Sequence, residues 1–154
     1  MRRLTVLLAL LGAACGRGSG GPQTPVPQSM NAALEQFLTA VKANDLSRMG
    51  TLWGTDRGPA SQWMKPDELR QRLTIIQKYL DYAGYRIVEG PLAVPSRDDL
   101  RTYRVDLQRS GCNQVVQIDV IRTRSGGWLV HDVHLESAGS PATRCQPAGS
   151  GTRP

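Results

Sequence analysis

The feature that most constrains this chain is a change in hydrophobic period at Gly84. Upstream, apolar residues recur at helical spacing; downstream they alternate. Met30, Ala33, Leu34, Phe37 and Val41 fall at i, i+3, i+4, i+7 and i+11, one stripe of an amphipathic helix, with Ser29 available as its N-cap. Asn44-Asp45 interrupts that helix, and Asp45 can cap a short second one carrying Leu46, Met49 and Leu52-Trp53. Gly54 to Pro59 reads as a loop. Pro66 suits the first turn of a third helix, where Asp67 and Glu68 sit near its positive end. Leu69, Leu73, Ile76 and Leu80 form that helix's inward stripe, and Gly84 is its natural stop.

After Gly84, Tyr85 to Val94 reads as a strand broken by Gly90-Pro91, which implies a bulge or an edge position. Pro95 to Asp99 makes a turn. Tyr103, Val105 and Leu107 alternate with Arg104, Asp106 and Gln108; Val116, Ile118 and Val120 alternate with Gln117 and Asp119. By that alternation Asp106 and Asp119 point away from the apolar face, into solvent. Ser125-Gly126-Gly127 then turns into Trp128 to Glu136. Four strands joined by short turns predict an antiparallel meander. Helices first and a sheet afterwards predict an α+β fold in which the N-terminal helices pack on a curved sheet. The 154 residues suit one domain with peripheral segments.

The amino terminus is a different kind of sequence. Arg2 and Arg3 precede a run from Leu4 to Leu11 that is apolar apart from Thr5, followed by the small residues Gly12-Ala13-Ala14 and then Cys15. This is the layout of a signal peptide over residues 1–14, and the run is too short for the ~20 residues that span a bilayer. The stretch Leu11-Gly12-Ala13-Ala14-Cys15 resembles the lipobox of bacterial lipoproteins, in which the leader is cut before a cysteine that carries lipid. It departs from that pattern at Gly12, where a branched aliphatic residue is usual. An ordinary cleaved signal with an incidental cysteine is the alternative. The resemblance implies lipidation of Cys15 and anchoring in the bacterial envelope. Gly16 rather than Asp after the cysteine implies the outer membrane, facing the periplasm. Residues 15–28, rich in Gly, Ser and Pro, read as a flexible tether.

The helix–short helix–helix–sheet order resembles the nuclear transport factor 2-like superfamily. Two stretches carry the likeness: Ala33 to Trp53, with its Phe, Asn-Asp and Leu, and the closing strand Ser125 to Glu136, with its Gly-Trp-aliphatic run. The similarity covers residues 29–137 and implies a cone-shaped fold. That superfamily includes isomerases, dehydratases and small-ligand binders, so function stays open. The tail from 138 to 154 is polar and rich in Gly and Pro.

With Cys15 in the leader region, Cys112 and Cys145 remain as an even pair, which in an exported chain predicts a disulfide. Cys112 lies in the turn between the second and third strands, at the end of the sheet to which the fourth strand returns, so the bond clips the tail without distortion. Closing a loop of about 34 residues stabilises by roughly 3–4 kcal/mol. Neither cysteine has a ligand partner at zinc spacing, and no metal or other cofactor is expected.

Net charge is +6, and +4 once Arg2 and Arg3 leave with the leader. The basic residues are scattered among acids rather than gathered in a stripe, which speaks against nucleic acid as a partner. His131 and His134 are the only histidines. Three apart on a strand, they face opposite ways and cannot share a metal unless a bulge intervenes. Tyr79, Tyr82, Tyr103, Trp128 and His131 are the candidate lining of a pocket inside the cone. No catalytic residue is assigned, and no nucleotide-binding, nucleophile-elbow or zinc-protease motif is present. The leading expectation is a membrane-anchored, non-catalytic module for a small apolar ligand or a protein partner. A cone-fold isomerase or hydro-lyase using Tyr, Asp or His is the alternative. A third expectation is a structural subunit, dimerising through its sheet.

Overall fold

The computed structural model describes residues 25–141. The protein is α+β, with three helices packed on one face of a four-stranded antiparallel sheet. Helix α1 (Met30–Lys42) starts where Ser29 accepts the Ala32 N–H and buries Ala33, Leu34, Phe37, Leu38, Ala40 and Val41. Asn44, in the left-handed region at φ 53°, ends it. Asp45 then caps α2 (Leu46–Leu52) through the Arg48 N–H. Pro66 opens α3 (Pro66–Leu80), whose buried side is Leu73, Ile76 and Leu80.

Between α2 and α3 the expected loop holds a two-residue antiparallel pair, β1 (Gly54–Thr55) with β2 (Gly58–Pro59), and a 3-10 turn at Ala60–Gln62. The sheet order is β3 (Gly84–Val94), β4 (Arg97–Arg109), β5 (Cys112–Arg122), β6 (Trp128–Val133). The β3–β4 turn is tighter than the sequence implies: Pro95 and Ser96 alone make it, with Ser96 at φ 62°. Strand β3 is an edge, irregular around Gly90-Pro91 as expected. Gly90, at φ 117°, lies so close to β4 that a Cβ would meet the Thr102 carbonyl oxygen at 2.8 Å. Gln114 and Gln117 of β5, beyond the end of β6, are bonded by Ser137 of a second 3-10 turn, Leu135–Ala138.

The core lies between helices and sheet. Tyr103, Val105 and Leu107 of β4, Val116, Ile118 and Val120 of β5, and Val130 and Val133 of β6 meet α1 and α3 there. A smaller apolar cluster sits elsewhere: Leu100, Ile121 and Leu129, covered by Val26 and Val94. Pro27 is buried, and its carbonyl accepts the Trp128 N–H at 2.7 Å. The last residues of the expected tether are thus seated on the sheet, and the packed domain includes residues 25–28. Cys112 opens β5. The signal peptide, Cys15, Cys145 and the tail beyond residue 141 lie outside the described residues. Among the described residues no helix is long and apolar enough to cross a membrane.

Candidate functional site

The residues expected to line one pocket do not converge. Tyr103 is 1% exposed, and its hydroxyl donates to Asn31 Oδ1 at the start of α1. Tyr82 is buried and donates to the Leu38 carbonyl at 2.7 Å, with its ring edge-on to Tyr85. Burial, and Tyr85 beside it, push the Tyr82 phenol up to about 12. Burial, with Glu35 nearby, raises Tyr103 as well. Both are therefore protonated donors at neutral pH, already committed to α1. Tyr79 borders a surface depression with Ile75, Leu135 and Glu136, while Tyr82 borders another with Thr39 and Lys42. Trp128 is half-buried where β6 begins, opposite Arg122. His131 turns its Nδ1 to the Gly54 carbonyl at 3.0 Å. Phe37, Leu34, Leu38 and Met49 share a core cluster with Tyr82 and Tyr103 and have no exposure; Tyr79 and Trp128 pack against its side.

The histidine geometry differs from that of a regular strand. Asp119 pairs with Asp132 but Val120 pairs with Val130, so His131 is the extra residue of a bulge. The bulge lets Val130 and Val133, three apart, share the inner face. His134 follows the strand and reaches the outer face. There Nε2 lies 3.0 Å from Asp119 Oδ2, and Nδ1 lies 3.1 Å from Glu136 Oε1. Burial alone would lower the His134 pKa, but the Asp119 hydrogen bond and charge, then Glu136 and Asp132, raise it above its ordinary value. With a carboxylate facing each nitrogen, the imidazolium form, which can donate both ways, is the one these partners favour. Gln117 Nε2 lies 3.2 Å from His134 Nε2, and a flip of that amide would place its oxygen there to accept from a protonated ring.

Two aspartates correct the alternation argument. Asp106 and Asp119 are on the outer face but only 5% and 8% exposed. Asp119 accepts from Thr102 Oγ1 at 2.6 Å as well as from His134. Asp106 is flanked by Arg86 and Asn113, each at 3.4 Å. Alternation specifies the face; neighbouring long side chains decide whether water reaches it.

Thr102, Asp119, His134 and Glu136 form a chain of hydrogen bonds, but its order is not that of a nucleophile relay. The Thr102 hydroxyl donates to the aspartate, and both histidine nitrogens are occupied by carboxylates. No base is aimed at the hydroxyl. Among the described residues no group of three or more His, Cys, Asp or Glu is arranged to hold a metal ion. What the network does is tie β4, β5 and the segment after β6 together on the outer face.

Arg109 does comparable work at the end of the sheet where β4 turns into β5. Its guanidinium donates to the Asp81 carbonyl at 2.9 Å, to the Ala138 carbonyl at 2.8 Å, and to the Tyr79 carbonyl. One side chain thus holds the last carbonyls of α3 and of the closing 3-10 turn, where cations are favoured. Nothing in the sequence pattern singles out Arg109 or Thr102, and His134 stands out there only as a histidine set against His131. Alternation places Asp119 on the outer face, but the extra residue in β6 conceals that His134 joins it there. No protein-family model and no curated protein sequence matches this chain.

Proposed function

We propose that this chain is an envelope lipoprotein, anchored through Cys15 after removal of residues 1–14, whose α+β domain of the nuclear transport factor 2-like kind is a non-catalytic interaction module. It resides in the outer membrane, facing the periplasm. The observation that supports a protein partner over a small apolar ligand is the filled interior: Tyr103, Phe37, Leu34 and Leu38 are at most 1% exposed, with both interior hydroxyls returned to α1. The outer sheet face, by contrast, offers Arg86, Arg104, Val115 and Asp132 to a neighbour. The same filling argues against the isomerase reading, which needs an enclosed space for its substrate.

The test is a photo-reactive residue at Val115 in cells of the native host, with a control at Ile75 on α3. Both side chains are exposed, at 36% and 50%. The reading expects a discrete cross-linked partner from Val115 and none from Ile75. Recovery by native mass spectrometry of a stoichiometric small molecule, with no cross-link from Val115, overturns it. Mass analysis of the mature amino terminus tests the anchor separately, since acyl mass on Cys15 is its direct signature.

A further inference from the structure

We infer that the end of the domain where residues 25–28 enter is a membrane-facing surface that engages anionic lipid headgroups; this rests on the anchored reading above. The entry point is fixed by the Trp128–Pro27 hydrogen bond and by Val26 against Gly127. About ten residues separate it from Cys15, a span of at most ~35 Å when extended and ~18 Å when relaxed. This end of the domain therefore stays close to whatever surface holds Cys15.

The turns gathered there are basic and carry an exposed aromatic ring. From Gly127 the loop runs back to Arg124, which pairs with Asp56 at 2.7 Å and also takes the Asp56 carbonyl through its backbone N–H. Arg57, next in the chain, stacks over Trp63 at 5.5 Å. Trp63 is 44% exposed while its indole N–H is held by the Gly58 carbonyl. Arg97 is paired with Asp99 and lies within electrostatic reach of Asp56. Arg122 is exposed opposite Trp128. Arg57, Arg97, Arg122 and Arg124 outnumber Asp56, Asp98 and Asp99 at this end, and Arg101, turned onto the carbonyls of Asp98 and Leu100, adds a fifth guanidinium. An amphipathic ring beside guanidinia is the composition that suits a headgroup layer. At the opposite end Arg109 is spent on backbone carbonyls and the hairpin tip is Ser110-Gly111.

The experiment is hydrogen–deuterium exchange on the intact lipidated protein, bound to vesicles of phosphatidylcholine with or without phosphatidylglycerol. Phosphatidylglycerol should slow exchange across 54–63 and 122–128 by about fivefold, the effect of roughly one guanidinium at a charged surface, and leave 109–112 unchanged. Substituting Arg57→Gln and Arg122→Gln together, both exposed, should abolish that difference while flotation with the vesicles persists. Equal exchange on the two vesicles, or slowing at 109–112 instead, overturns the inference. If Cys15 carries no lipid, the anchor reading fails on mass and flotation alone. Headgroup-dependent slowing of the same segments would still uphold the surface.

Discussion

Replacing Arg109 by Met isolates the work of one guanidinium, because the methionine side chain keeps much of the arginine's apolar stem. In the native protein the group holds the carbonyls of Tyr79, Asp81 and Ala138, which belong to two segments that no strand connects. Hydrogen bonds from a charged donor contribute about 1.5–3 kcal/mol each. The Asp81 bond is exposed and adds little; the Tyr79 and Ala138 bonds are half-buried and set the scale. Arg109→Met should therefore cost about 3–4 kcal/mol, a large share of the ~5–15 kcal/mol that holds a domain folded. For a domain of this size that corresponds to a fall in Tm of roughly 12–25 °C. Arg109→Lys, a point charge without the fork, should recover about half. Urea denaturation followed by far-ultraviolet circular dichroism, under non-reducing conditions, measures both. A Met variant within about 0.5 kcal/mol of the parent would refute the reasoning, since the carbonyls would then be equally well served by water. A Lys variant equal to the parent would show that charge near the α3 terminus, rather than the fork, is what counts.

His134 makes stability depend on pH with a definite sign. Its folded pKa lies above the ordinary value near 6.5, so its contribution is complete below about pH 6.5 and is lost as pH rises through the raised value. Its partner Glu136, held low first by its own backbone N–H and then by His134, works the other way and loses its share as pH falls. His134→Gln should flatten the neutral-to-alkaline limb of the stability profile; an unchanged limb in thermal melts would count against the imidazolium. Gly127→Ala places a Cβ 2.5 Å from Val26 Cγ1 and should dislodge residues 25–28 at a cost of about 1–3 kcal/mol. Loss of Trp128 amide protection in hydrogen exchange reads this directly, and retained protection would contradict it. Non-reducing peptide mapping should recover Cys112 joined to Cys145, and quantitative alkylation of both thiols without reductant would remove that assignment.

The helices and the change of period were legible because each rests on local chemistry. Ser29 and Asp45 cap, Pro66 starts, and the stripe from Ala33 to Val41 buries itself as spacing demands. The β1–β2 pair escaped because two-residue strands have no period. The seat of Val26 and Pro27 escaped because Gly- and Pro-rich sequence looks the same whether or not a sheet edge receives it. His131 was misplaced by a single extra residue, which shifts every later side chain by one face. Arg109 could not be read at all: its acceptors are backbone carbonyls 28 to 30 positions away, and carbonyls carry no sequence signature.

The seating of residues 25–28 also bears on how the domain would carry load. The seat consists of one backbone hydrogen bond, Val26 and the buried Pro27, whereas β4 and β5 are joined over ten residue pairs. A pull transmitted from the amino terminus reaches the weak seat first. Peeling it would release about four residues, or roughly 13 Å of slack, with both sheet and core intact. Residues 25–28 would thus act as a yielding joint in series with a rigid body.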